Sequence, residues 1–317
     1  MFLKTSIFFL FNLIMFSNSL ITPIPTKTYT KTIPNVGDVS VIEPFYNNKD
    51  TNAVVFFTGG SSNIPNIAYS SFLYLLSSQN ITSYTFNNKI NRKEFSRFLN
   101  KKHKKIGLVG HSSGCMTALK TSNYFSDLKN IILFDPVDDR VIENVKNDPI
   151  KTILGKNEKN IKISVPENFI IVKSMKSYNW NFNPFKTPFI PFFGLEPENI
   201  ELTKKIDDEH DDDYDDDHDD DSHDGENITI TKNINPRFKS VINLHDYGHC
   251  DILDSRWADI MHNSFAYGVD PRNEDILENY RSACSYVISS SFEDIKKNQL
   301  KNIIKREYNI KSSVKRL

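Results

Sequence analysis

The chain has 317 residues, 38% of them hydrophobic and 12% aromatic. That is enough for one large domain or two small ones and enough to fill a core, which excludes a chain disordered throughout. The net charge of −1 hides an asymmetry: residues 207–224 hold thirteen Asp and Glu with no Lys or Arg, so the remainder is basic at +12. No nucleic-acid-binding motif accompanies that positive charge, so nucleic acid is not an expected partner. Transient contact with an anionic surface such as phospholipid is compatible with it.

The N-terminus reads as a targeting segment. Lys4 supplies a positive start, residues 7–16 are almost purely apolar, and Ser17-Asn18-Ser19 places small residues at a cleavage position. The apolar run is short for a membrane span, and no later stretch is long enough. Residues 1–19 are therefore expected to be a cleaved signal peptide, an uncleaved anchor being the alternative. The product is expected outside the cell or in an endolysosomal lumen. Secretion gives meaning to Asn80-Ile81-Thr82 and Asn227-Ile228-Thr229, glycosylation acceptors expected at the surface. It also gives meaning to the odd count of three cysteines. Cys115 reads as a small core residue, and Cys250 and Cys284 are the expected disulfide.

Residues 22–37, rich in Thr, Pro and Lys, read as an irregular lead-in, followed by a strand near 38–46. Residues 53–57 form a continuous apolar run between turn signals, the pattern of a fully buried parallel strand. It ends in Thr58-Gly59-Gly60-Ser61-Ser62. Ile67, Phe72, Leu73 and Leu75 suggest a helix, residues 82–86 a strand, and Phe95, Phe98 and Leu99 one face of a basic helix. Ile106, Leu108 and Val109 begin the central strand, Met116, Ala118 and Leu119 follow at helical spacing, and 131–134 is another buried strand. A further strand lies at 169–172 and the last at 241–244. Between them, residues 178–195 read as a loop whose Trp180, Phe182, Phe185 and Phe189 either line a site or pack in the core. The acidic run predicts a solvated, disordered insertion at about 205–226. Residues 274–296 carry one apolar stripe and read as an amphipathic terminal helix. Strands alternating with helices predict one α/β domain over 20–317, a mainly parallel sheet with helices on both faces.

The central strand runs into Gly110-His111-Ser112-Ser113-Gly114 and then a helix. In that setting G-x-S-x-G is a nucleophile elbow, which lifts the hydroxyl of Ser112 clear of the sheet. A serine needs a base beside it, and histidine titrates near working pH. A carboxylate must then orient the imidazole and stabilise its protonated form. His249 and His245 both follow the last strand. His249 comes after Gly248 in a turn able to aim it inward, and His111 is expected to pack beneath the elbow. Asp135 is the first residue past its strand, with Asp138 and Asp139 close behind. Ser112, Asp135 and His249 then keep the order Ser, Asp, His of hydrolases on this kind of sheet. The oxyanion donors are expected to be the backbone N–H groups of Ser113 and Gly60.

GHSSG, FDPVDD and DYGHCDILD, in that order, resemble the chlorophyllase family of α/β-hydrolases, which is similar to platelet-activating-factor acetylhydrolases. The resemblance implies Ser112 as nucleophile, Asp135 as acid and His249 as base. It also implies a carboxylic ester substrate; the aromatic-rich loop and the basic body favour an apolar one, lipid-like or chlorophyll-like, and no cofactor is expected. Thr58-Gly59 replaces the family's frequent His-Gly pair, and Ser113-Gly114-Cys115 replaces its Arg-Gly-Gly. A non-catalytic binding module on the same fold is the alternative. His210, His218 and His223 in the acidic run offer ligands to Ca²⁺ or Zn²⁺, but such ligands are not pre-placed, and no metal site is expected.

Overall fold

The computed structural model describes residues 25–46, 51–60, 64–86, 90–137, 161–164, 166–175, 200–203, 238–264, 273–293, 297–308 and 310–316. In chain order the strands are β1 (Thr26–Ile33), β2 (Gly37–Pro44), β3 (Asn52–Phe57), β4 (Ile81–Thr85), β5 (Ile106–His111), β6 (Asn130–Phe134), β7 (Ile161–Ser164), β8 (Asn168–Ser174), β9 (Ile200–Thr203), β10 (Phe238–Leu244) and β11 (Ser312–Arg316). The α-helices are α1 (Ser70–Ser78), α2 (Arg92–Lys102), α3 (Gly114–Ser122), α4 (Ser255–Ser264), α5 (Glu274–Ser291) and α6 (Lys297–Glu307), and a 3-10 turn at Asn66–Tyr69 leads into α1.

Nine strands form one sheet in the order β1-β2-β4-β3-β5-β6-β8-β10-β11. The six from β4 to β10 are parallel. Antiparallel β2 and β1 close one edge and antiparallel β11 the other. Alternate residues of each central strand point to opposite faces. Val54, Phe56, Val109, Ile132, Phe134, Ile170 and Val172 pack against α1 and α5 through Phe72, Leu73, Leu76, Tyr280, Val287 and Ile288. Val55, Phe57, Leu108, Ile131, Leu133, Phe169 and Ile171 pack against α2 and α3 through Phe95, Leu99, Met116 and Leu119. Two buried faces explain why these strands are continuous apolar runs and not alternating ones. This strand order, with a G-x-S-x-G turn after β5, is the α/β-hydrolase fold.

The N-terminal stretch expected to be irregular is instead β1, hairpinned to β2 through Asn35 at φ 60°. Its Thr-Lys-Thr-Tyr-Thr-Lys-Thr sequence favours strand through Thr and Tyr, but as a largely exposed edge it carries no apolar pattern. The terminal helix stops at Ser291, before the expected 296, and α6 and β11 follow it. The signal-like segment 1–19, the aromatic stretch 178–195 and the acidic run lie outside the described residues. Among the described residues no helix is long and apolar enough to cross a membrane.

Candidate active site

β5 ends at His111 and α3 begins at Gly114, so Ser112 and Ser113 must turn the chain within two residues. Ser112 takes φ 57°, a left-handed conformation that costs a non-glycine residue roughly 1–2 kcal/mol. Ladder-like bonds hold it there: its N–H donates to the Phe134 carbonyl at 2.9 Å, and its own carbonyl accepts from Val137 N–H at 3.2 Å. Two glycines make the tight crossing possible. A Cβ on Gly110 would lie 2.5 Å from the Cα of Cys115, and one on Gly114 would run into the Phe57 carbonyl oxygen. Ser112 stays 9% exposed at the carboxyl edge of the sheet.

Asp135 sits one residue beyond β6, also left-handed at φ 44°. It is 2% exposed. Its N–H donates to the Val172 carbonyl at 2.8 Å. Oδ1 accepts from the Ser174 N–H at 2.5 Å, and Ser174 Oγ shares a 2.7 Å hydrogen bond with the Tyr280 hydroxyl. Oδ2 is buried without a hydrogen-bond partner among the described residues. Burial pushes the Asp135 carboxyl up to about 7, against the opposing pull of Ser174. Asp138 and Asp139 lie outside the described residues.

His249 rides on the turn after β10. Asp251 braces that turn by accepting from the Gly248 N–H at 2.8 Å. Asp254 docks its far end: its N–H donates to the Ala68 carbonyl at 2.8 Å, and its Oδ1 accepts from Ser71 N–H at 3.0 Å. His249, Asp135 and His111 each place one nitrogen or carboxylate oxygen within 4.8 Å of the others. Burial, and then the neighbouring His111, hold the His249 imidazole well below its ordinary range. His245 is exposed and stands outside this group. Both His111 nitrogens are engaged, Nδ1 with the Tyr69 hydroxyl and Nε2 with the His249 carbonyl, each at 2.8 Å. The three side chains are therefore not a ready three-ligand metal site.

The Gly59-Gly60 turn faces the elbow; a Cβ on Gly59 would lie 3.1 Å from the Cβ of Ser112. Gly59 N–H donates to the Tyr69 hydroxyl at 3.0 Å, while Gly60, at φ 64°, is exposed. Ser113 stands at the N-cap position of α3, without a side-chain capping bond. Ser61 and Ser62 lie outside the described residues. The structure thus gathers Ser112, Ser113, Asp135, His249 and Gly60 at one sheet edge. Tyr69, Ser174 and Asp251 join them unannounced by sequence reasoning, although Asp251 lies within the DYGHCDILD segment. Tyr69 ends the 3-10 turn before α1 and carries no local sequence signal of this role.

The disulfide expected between Cys250 and Cys284 is not formed. Both are free buried thiols, as is Cys115. Cys250 and Cys284 belong to the same apolar cluster, where burial pushes the thiols up and keeps them neutral. Sequence separation carries no information on sulfur geometry. Asn80 is exposed in a left-handed turn before β4, and Asn227 lies outside the described residues.

No protein-family model matches the chain, and no curated protein matches it. Among solved structures the likeness is to esterases. An esterase domain from a Rhodothermus marinus protein is 13% identical over 47% of this chain and 75% of its own, with a TM-score of 0.33. A structure from a study of two fungal esterases from Rhizomucor miehei is 16% identical over 44% of this chain and 52% of its own, TM-score 0.31. A variant of the esterase rPPE is 14% identical over 38% and 46%, TM-score 0.31. The chain spans about half the length of the latter two. Strand order and the elbow carry the fold, not these partial overlaps.

Proposed function

We propose that this chain is a serine esterase that cleaves a carboxylic ester through an acyl-enzyme, with Ser112 as nucleophile, His249 as base and Asp135 as acid. The observation that carries the reading is the strained Ser112 at the sheet's carboxyl edge, with Asp135 and His249 gathered within 4.8 Å of each other beside it. Ser112 Oγ attacks the ester carbonyl carbon while its proton passes to the His249 imidazole. The oxyanion forms against the backbone N–H groups of Gly60 and Ser113. The C–O bond to the alcohol then breaks as the imidazolium returns its proton to the leaving oxygen. Water repeats the sequence to release the acid and restore Ser112. Asp135 Oδ2, buried and without a hydrogen-bond partner among the described residues, is placed to accept from the imidazolium once the ring moves onto it. Such contacts commonly tighten only when substrate is bound.

An apolar, lipid-like or chlorophyll-like ester is the substrate this reading favours, on the chlorophyllase-like motifs and the aromatic stretch 178–195. Contact with a membrane surface and secretion belong to the same proposal, on the basic body and the signal-like N-terminus. The test is a fluorophosphonate probe with mass spectrometry on wild type and Ser112→Ala. Label on Ser112, lost in the variant, is the expected result. A folded wild type that takes no label sinks the esterase and favours a binding module on the same fold.

A further inference from the structure

Two buried tyrosine–histidine pairs stand at opposite ends of the sheet, built to the same plan. At the carboxyl end, Gly59 N–H meets the Tyr69 hydroxyl at 3.0 Å, that hydroxyl meets His111 Nδ1 at 2.8 Å, and His111 Nε2 meets the His249 carbonyl at 2.8 Å. At the amino end, Lys102 Nζ donates to the Tyr84 hydroxyl at 2.9 Å, that hydroxyl meets His103 Nε2 at 2.9 Å, and His103 Nδ1 meets the Thr51 carbonyl at 3.0 Å.

In the first chain every proton has one possible place. A carbonyl only accepts, so His111 carries its hydrogen on Nε2. The Gly59 amide only donates, so the Tyr69 oxygen accepts from it and its O–H points to Nδ1. The direction therefore runs Gly59 to Tyr69 to His111 to His249, with neutral His111. Burial, which lowers His111 to about 4, agrees. What this chain joins is specific. Gly59 opens the oxyanion turn, His111 directly precedes Ser112, and the carbonyl belongs to His249 itself. The second chain ties the start of β3 to β4 and the end of α2, and through Lys102 to Glu43 of β2 at 3.8 Å, away from Ser112 and His249.

We propose that Tyr69 and His111 are positioning residues, a hydroxyl–imidazole relay that fixes the oxyanion turn and the His249 loop relative to Ser112. This rests on the esterase reading above. Alignment of donors and base matters most as charge develops, so the relay acts on kcat more than on KM.

The test compares Tyr69→Phe with Tyr84→Phe, which removes the matching hydroxyl at the far end. The readouts are p-nitrophenyl butyrate hydrolysis, the second-order rate of fluorophosphonate labelling, and Tm. Y69F is expected to lower kcat and the labelling rate together by about ten- to a hundredfold, with KM moved less than about threefold. Y84F is expected to lower Tm while leaving kcat within about twofold of wild type. Equal kcat losses in both variants, or wild-type kcat in Y69F, overturn the relay. Should Y69F fail to fold by circular dichroism, His111→Gln, which keeps an amide donor toward His249 and loses the Nδ1 acceptor, is judged by the same criteria. A wild type inert to fluorophosphonate fails the esterase reading itself and takes the relay with it.

Discussion

Ser112 and Asp135 are both non-glycine residues held at positive φ, each one step past a parallel strand. For Ser112 the strain has a measurable side. Ser112→Gly and Ser112→Ala both remove the hydroxyl, but only alanine keeps a Cβ in the left-handed turn. S112G should be the more stable by about 1 kcal/mol in urea unfolding, the reverse of the order seen within a helix. Asp135 gives a pH signature. Its folded value of about 7 lies above its ordinary 3.8, so folding takes up a proton between the two. Its contribution to stability is full below about pH 4 and is lost as pH rises through 7. Asp135→Asn cannot ionise, and its Tm should exceed that of wild type at pH 8 and converge with it at pH 4. The same carboxylate must be charged to stabilise the imidazolium. Activity of wild type should therefore rise with pH through about 7, while D135N loses roughly 10⁴ in kcat. An acid limb near pH 4 would show that Asp135 ionises freely in the folded protein.

At the scale of elements, the turn between β5 and α3 is the tightest crossing in the site. Gly114→Ala would press a methyl group into the backbone of β3, and a loss of about 2–3 kcal/mol or more in urea unfolding is expected. A wild-type midpoint would mean that β3 can give way. This turn was also the most legible part of the chain, because two glycines, a serine and flanking apolar runs are all local signals. The central strands were legible for a similar reason, since burial on both faces writes itself as Val, Ile, Leu and Phe without interruption. β1 was not, because an exposed edge needs no apolar residue, and β11 was not, because its Ser-Ser-Val-Lys-Arg acquires a strand's geometry only from β10. Asp135 and His249 could be placed by their position after strands. Tyr69 could not, since its role depends on meeting His111 from 42 positions away. The cysteine pairing failed on the same ground: nothing along the chain reports where two side chains point.

Taken whole, the molecule assembles its site from segments near residues 59, 112, 135 and 249, each supplied by a different parallel strand. β10, which carries the His249 turn, is held on one side by β8 and on the other by β11, and the His245 N–H donates to the Lys311 carbonyl at 3.0 Å. Removing residues 309–317 would bare the edge of β10 beside that turn. The truncated chain should lose Tm and self-associate in size-exclusion chromatography, as unprotected strand edges do; a monomer with wild-type Tm would show β11 to be dispensable. β10 also reaches β8 only after the intervening residues 175–237 have been passed, and parallel neighbours so distant in sequence pair late. Chemical reactivity of Ser112 would then serve as a clock for the end of folding. On dilution from urea, helical ellipticity should return first and capture by fluorophosphonate last, because an attacking serine exists only once the farthest strand has found its place.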